Sequence, residues 1–573
     1  MKLFIICLCL FVLGASRGTL AQNYRLPKNV IPTGYDIAIK PYLETRDGAK
    51  QFTFDGEVNI TLHAVEENVK NITLHKDYIE ILDTILYDGE GRIVERVASE
   101  KLLYETLTDK LTVPLQTALV RDRNYSLYFN YTGQIRSGLA GVFRGTYDDE
   151  SAIYTSDWYA ITQLQRIDAR TAFPCFDEPQ LKATFRMRIT RPNHYLSFFN
   201  TKILNSQAES NNRYTDYFDT TPPMSTYLVA FMVGPFEVQG DDDFKLIIHR
   251  SLMNNTAYTR EVALKTIAAY DKYTQLPYKT LGNALMQKAG SRRFPHNGME
   301  NWGLVIYHDS VLSHQTNYTD GWADKEYTVT ILVHETAHMW FGNSVTFKWW
   351  SYFWLNEAFA RYYQYYLAHE IYPEFELDKQ FVVNQIHLIF GTDATQSTQP
   401  LTSPEESINS PSQVAYKFSG ITYAKGAAIV RMFCNLMGKE NFDNSLREYL
   451  KENHLKSTVP ADLFKHWKQH WPSDHHVDLE QLFSDWTEQP GFPIINITTT
   501  ESGSYVLKQQ RFILDPTDGS DVNLKYTIPI TYTTDSEKNF DDLTPKFYFN
   551  KTQNEVEFGD SKADKWIILN LQQ

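Results

Sequence analysis

Two histidines four residues apart, with a glutamate directly after the first, lie in the stretch "VHETAHMWFG", Val333 to Gly342. A helix brings positions i and i+4 to one face, so His334 and His338 can hold one metal ion while Glu335 flanks it. Imidazole suits zinc, and a catalytic zinc site takes three protein ligands and leaves a fourth position for water. The third ligand is therefore expected on a second element close in sequence. Nineteen residues beyond His338 lies Glu357, in the run "SYFWLNEAFARYYQYYLAHEIYP", whose helical pattern stops before Pro373. A helix, a tight return and an antiparallel second helix would set Glu357 opposite the histidines and complete a His, His, Glu zinc set. The competing reading is a pair of helix histidines that merely pack, which a glutamate on a following apolar helix disfavours. By contrast His475 and His476 in "SDHHVDLEQL" have no matching partner and read as a surface helix start.

The elements that must position these residues can be read from periodicity. "EYTVTILVHETAHMWFGN" has apolar residues at helical spacing, no proline and a Gly-Asn stop. From about Val238 to Trp486 long stretches such as "REVALKTIAAYDKYTQL" and "AKGAAIVRMFCNLMGKENF" keep that spacing. Upstream, from Tyr24 to about Glu237, short alternating runs such as "GYDIAIKPYL", "GEVNITLHAV" and "NYSLYFNYTG" read as half-buried antiparallel sheet. After "TEQPGFPIINIT" strands return, and Pro490-Gly491-Phe492-Pro493 marks a boundary. The expectation is a multidomain α+β chain: a leader at 1–21, a β-domain at 22–237, a mixed α/β domain at 238–489 and a partial β-sandwich at 490–573.

Composition bounds the rest. A chain of 573 residues exceeds what one core supports, so several domains are expected. The 14% aromatic content argues against disorder, and a formal charge of −14 argues against a nucleic-acid role, which needs clustered cations. "MKLFIICLCLFVLGASRGTLAQ" has the layout of a cleaved secretory signal, with cleavage after Ala21 or Ser16. No second apolar stretch is long enough to cross a membrane, so no transmembrane segment is expected after cleavage. Cys7 and Cys9 lie in that leader; Cys175 and Cys434 read as free buried thiols, with one bridge as the alternative. Eight N-x-S/T sequons, at Asn59, Asn71, Asn124, Asn130, Asn254, Asn317, Asn496 and Asn550, fit a secreted, glycosylated chain.

With these residues in view the sequence resembles the aminopeptidase N family of zinc metallopeptidases, over nearly its whole length after the leader. "YRLPKNVIPTGYDIAI", "DARTAFPCFDEPQLKATF" and "TPPMSTYLVAFMVGPFE" are similar to the family's N-terminal β-domain. "NGMENWG", "HETAHMWFGNSVTFKWW", "WLNEAFA" and "GITYAKGA" follow in the family's order. The resemblance implies a thermolysin-like catalytic domain and one zinc per chain, held by His334, His338 and Glu357. It implies that Glu335 moves the proton of a metal-activated water and that Tyr423 donates to the developing oxyanion. Glu300 would pair with the free α-ammonium of a peptide. Gln163, Gln165, Asn297, Gly298, Met299 and Asn301 would line the substrate's first residue.

Departures from the family pattern spare His334, Glu335, His338, Glu357, Tyr423 and Glu300. Gln165 stands where many members are acidic, and Asn297 and Gly298 stand where Gly and Ala are common. Thr336, Met339, Ser344 and Ala358 also differ, and none of them is a ligand or proton carrier. The implied activity is hydrolysis of the N-terminal residue of peptides with a free amine. The alternatives are a secreted peptide-binding glycoprotein with weak or no catalysis, and a zinc endopeptidase, which "NGMEN" disfavours. The family continues into a large helical domain, so the chain reads as a short form or an incomplete gene model. The expected setting is extracellular, with membrane association in longer forms.

Overall fold

Along Thr53–Ala64 every second residue is buried, the period-two pattern of a strand with one face in a core. The computed structural model describes residues 23–147, 158–241, 244–282, 285–313, 321–517, 519–562 and 565–571. The expected leader and the sequon at Asn317 lie outside them. Thr53–Ala64 lies near the middle of an eight-stranded sheet. It is flanked by Val30–Pro41 and Asn124–Gln134, both antiparallel to it. The expected antiparallel rule has one exception: Val30–Pro41 pairs parallel with Thr184–Pro192, from Gly34 opposite Thr184 to Ile39 opposite Ile189. A parallel pair needs a long crossover, and the chain between them supplies it.

A second sheet of four strands runs in the order Leu196–Phe199, Phe231–Gly234, Trp158–Gln163, Gly141–Thr146. Trp158–Gln163 is buried from Tyr159 onward. Its Tyr159 hydroxyl lies 3.1 Å from Ser291 Oγ of the next domain. This strand leads into residues 163–168, which reach the cleft shared with His334 and His338.

The following domain is built on a mixed five-stranded sheet. Lys245–His249, Gln287–Ser291 and Leu304–His308 are parallel neighbours, with Phe236–Gly240 and Gly298–Met299 antiparallel at the edges. Phe236–Gly240 pairs with Lys245–His249, so the expected boundary after Glu237 falls inside a strand of this sheet. Pairing, not the local alternation, decides which sheet that strand joins. Four helices matter for the site: α1 (Ala257–Thr274), α2 (Trp322–Ala337), α3 (Trp354–Ile371) and α4 (Gly426–Met437). The helical run expected through "AKGAAIVRMFCNLMGKENF" breaks at Gly438, and α5 (Lys439–Glu452) follows.

The return between α2 and α3 is not tight. Residues 338–353 contain the short strand Thr346–Phe347, paired with Ser457–Thr458, and one helical turn at Trp350–Tyr352. One apolar core runs unbroken through these two domains. The last domain has a separate small core around Leu507, Tyr526, Ile528, Ile530 and Phe549. It is built from strands including Pro493–Thr499, Tyr505–Arg511 and Val556–Phe558. His475 does not open a helix: the helix begins at Leu479, capped by Asp478. His475 Nδ1 instead lies 2.9 Å from the Tyr548 hydroxyl of that last domain. Cys175 and Cys434 are free and buried. Among the described residues no helix is long and apolar enough to cross a membrane.

Candidate metal centre and its cleft

Helix α2 is buried from Thr328 to Ala337, because an apolar surface on every side suits a helix inside a core. His338 follows its last residue with the backbone still helical, at φ −59° and ψ −21°. The i, i+4 relation therefore survives, and the rings of His334 and His338 meet edge to face with centroids 4.9 Å apart. The turn beyond is fixed on two sides. Trp340 Nε1 donates to the Leu276 carbonyl at 2.8 Å, and Phe341 stacks on Phe359 of α3 with centroids 4.8 Å apart. That stacking holds α3, and so Glu357, against the histidines.

Three donor atoms converge. Glu357 Oε2 lies 3.3 Å from His334 Nε2 and 3.5 Å from His338 Nε2, and the two nitrogens are 3.3 Å apart. Ligand atoms about 2.0–2.1 Å from one tetrahedral zinc stand roughly 3.4 Å from each other, so these atoms form one face of such a site. Glu357 Oε2 and His334 Nδ1 are buried without a hydrogen-bond partner among the described residues. His338 Nδ1 lies 3.0 Å from the Phe341 carbonyl; this places the proton on Nδ1 and frees Nε2 as a ligand. Glu300, Glu335 and His338 form a second group within ligand reach. It shares His338 with the first, so one ion satisfies one group or the other. The first group leaves Glu335 free.

The electrostatics call for a cation. Burial pushes the Glu335 carboxyl up to about 8, reinforced by Glu300 and Glu357 and opposed by His338. Burial likewise lifts Glu300 to about 7. Burial would raise Glu357 too, but His338 and the contacts from both histidines outweigh it and hold Glu357 at about 2. Burial would lower His338, yet Glu300 and Glu357 lift it to about 10. Three acidic side chains buried round one pair of histidines raise His338 and hold Glu357 down, an excess of negative charge that a divalent ion would offset.

A cleft of about 640 Å³ opens beside this centre, and Gln163, Gln165, Asn297, Gly298, Glu300, Glu335 and Tyr423 line it. Gln165 Nε2 donates to Glu300 Oε1 at 3.3 Å, and Asn343 Nδ2 holds the Glu300 carbonyl at 2.8 Å. Tyr423 sits in a π-helical turn, Ile421–Lys425, that leads into α4. Its ring lies near-parallel to His334 with centroids 6.4 Å apart. Gly298 leaves no room for a side chain, since a Cβ there would lie 2.3 Å from Glu335 Oε1.

Two of the residues expected at the substrate do not line the cleft. Met299 is buried and its sulfur accepts from Gln163 Nε2 at 3.6 Å, while both side-chain polar atoms of Asn301 are buried without hydrogen-bond partners among the described residues. Side chains alternate along an extended segment, so 298 and 300 face the cleft and 299 and 301 face away. Conversely, Arg166, Asp168, His296, Arg361 and Phe418 line the cleft and were not singled out in the sequence. Arg361 had a legible signal, one helical turn beyond Glu357. The β-domain also reaches the return beyond α2: Lys182 Nζ donates to the carbonyls of Asn343 and Ser344 at 3.2 and 3.0 Å.

A β-rich domain set against a mixed-sheet domain whose paired helices present two histidines and a glutamate has the build of a metallopeptidase. The model described as the peptidase M1 N-terminal domain matches residues 31–228, and that of the peptidase family M1 domain matches residues 258–486. The chain belongs to peptidase family M1. It is 33% identical to a membrane alanyl aminopeptidase of Heliothis virescens, with 96% of this chain and 56% of that protein covered. It is 32% identical to an aminopeptidase N of Oryctolagus cuniculus, covering 96% and 58%, and 30% identical to that of Homo sapiens, covering 97% and 58%. The chain spans little more than half the length of these curated relatives.

Proposed function

We propose that this chain is a zinc-dependent aminopeptidase that removes the N-terminal residue of peptides. The observation that carries the reading is the triangle of His334 Nε2, His338 Nε2 and Glu357 Oε2, with sides of 3.3 to 3.5 Å. The names of the relatives, aminopeptidases throughout, support it. Zinc held there supplies Lewis acidity that polarises a scissile carbonyl and acidifies an attacking water. Glu335, kept off the ligand set and held ionised by a cation beside it, would accept the water proton and return it to the leaving amine. Tyr423 donates from its hydroxyl to the oxyanion. Glu300, at one side of the cleft, pairs with the α-ammonium and rejects chains that continue past it. An extracellular setting fits the sequons, of which Asn71, Asn124, Asn254 and Asn496 are exposed.

The test is zinc content together with hydrolysis of a panel of aminoacyl amides. One zinc per chain and turnover of free-amine substrates are expected, with no turnover once the amine is acetylated. Glu335→Gln should keep its zinc and lose about 10²- to 10⁴-fold in kcat. A zinc-loaded chain that cleaves no free-amine substrate would defeat the proposal and leave peptide binding without catalysis.

A further inference from the structure

Two cleft-lining side chains carry positive charge, and neither belongs to the machinery proposed above. The Arg166 guanidinium lies 5.1 Å over the Phe418 ring. That of Arg361 lies 5.5 Å over the Tyr423 ring, and its Nε is buried without a hydrogen-bond partner among the described residues. Phe353 joins those two rings, with centroids 4.1 Å from Phe418 and 6.2 Å from Tyr423. The two cations therefore stand at the two ends of one aromatic wall. Among the described residues neither has a carboxylate within ion-pair distance. Asp168 feels the charge of Arg166 but lies beyond that reach.

A guanidinium drawn partly out of water without a counter-ion is costly to hold, and its planar fork matches a carboxylate. Four carboxylates also line the cleft, Asp168, Glu300, Glu335 and Glu357, so a substrate anion is held there only by pairing directly with a guanidinium. Gln165 and Gln364, both lining the cleft, are neutral amides. Arg166 follows Gln165, whose amide touches Glu300 at 3.3 Å, and so stands beside the substrate's first residue. Arg361 stands beside Tyr423, the residue assigned above to the carbonyl of the bond that is cut.

We propose that the cleft selects peptides with a carboxylate close to the free amine, received by Arg166 on the first residue and by Arg361 on the second. This deepens the aminopeptidase reading and rests on it. The ammonium goes to Glu300 and the side-chain carboxylate to an arginine, so an acidic residue near the N-terminus is matched at both of its charges.

The experiment compares isosteric pairs that differ only in charge: glutamyl against glutaminyl anilide, and Ala-Glu-amide against Ala-Gln-amide. With the zinc-loaded chain, the acidic member of each pair should have about tenfold higher kcat/KM, carried by KM and shrinking as salt is added. Arg166→Gln should erase the first preference and Arg361→Gln the second, while Arg166→Lys keeps part of the first. Equal kcat/KM within both pairs overturns the inference, and turnover of the glutaminyl substrate then leaves the aminopeptidase reading standing. If nothing is cleaved, that reading fails instead. Calorimetric binding of glutamate against glutamine then still decides: tighter glutamate binding that Arg166→Gln abolishes supports the arginine, and equal affinities overturn it.

Discussion

A carboxylate that moves a proton in catalysis must sit within hydrogen-bond reach of the reacting atoms, and displacement by about 1 Å can cost 100-fold in rate. Glu335 owes its place to what is missing opposite it. A Cβ at 298 would lie 2.3 Å from Glu335 Oε1 and 2.4 Å from its Cδ, so any side chain there must push the carboxylate aside. Gly298→Ala is expected to lower kcat by about 10- to 100-fold while leaving zinc content at one per chain. Metal analysis beside steady-state kinetics checks this, and full activity would show that Glu335 has room to shift without loss. The neighbouring ammonium gives a second prediction. Lys288 is buried, with Tyr307 Oη at 2.9 Å and Thr336 Oγ1 at 3.3 Å, and burial pushes it down to about 7 against the pull of Glu335. Its folded pKa lies below the ordinary 10.5, so between these values the folded state binds fewer protons and stability rises with pH. Lys288→Met should lose that rise. Denaturant unfolding at about pH 7 and about pH 9.5 should show a gain roughly 2 kcal/mol smaller in the variant. An unchanged gain would place the titration elsewhere.

At the scale of elements, the site depends on how closely α3 and α4 approach. Tyr423 stands one residue before Ala424 in the π-helical turn that feeds α4, and Gly426 begins that helix against α3. A Cβ at 426 would lie 2.7 Å from the Ala358 Cβ, next to Glu357. Two methyl groups cannot share that space, so Gly426→Ala forces the helices apart at the point between the third ligand and Tyr423. An overpacked contact of this kind costs about 1–3 kcal/mol, and kcat should fall with it. Adding Ala358→Gly returns the space, and the double variant should recover both stability and kcat. A double-mutant cycle on melting and kinetics reads this coupling, and additive losses would refute it.

For the whole molecule, the last domain is held to the helical one by a buried carboxylate. Asp485 is fully buried and pairs with Lys551 Nζ at 2.6 Å, while Thr527 N donates to it at 2.8 Å. Asp485→Ala strands the buried Thr527 amide, while Lys551, 31% exposed, turns to water, a loss of about 1–3 kcal/mol. It should split thermal unfolding into two transitions and expose the 490–493 linker to proteolysis; one unchanged transition would contradict it. At this scale the division between sequence and structure is also clearest. The spacing of His334, Glu335 and His338 was legible because helical periodicity is local, and Glu357 because it rides a second apolar helix close by. The strand-rich and helix-rich stretches were legible for the same reason. Which way residues 298–301 face was not: their alternation has two possible phases, and only pairing with Leu304–His308 chose the one that turns Glu300 to the cleft and Met299 and Asn301 away. Membership of Phe236–Gly240 in the five-stranded sheet, the long return before α3 and the placing of Arg166 and Arg361 on one cleft were likewise decided by contacts between residues distant in sequence. Local chemistry named the reactive set; long-range packing decided what surrounds it.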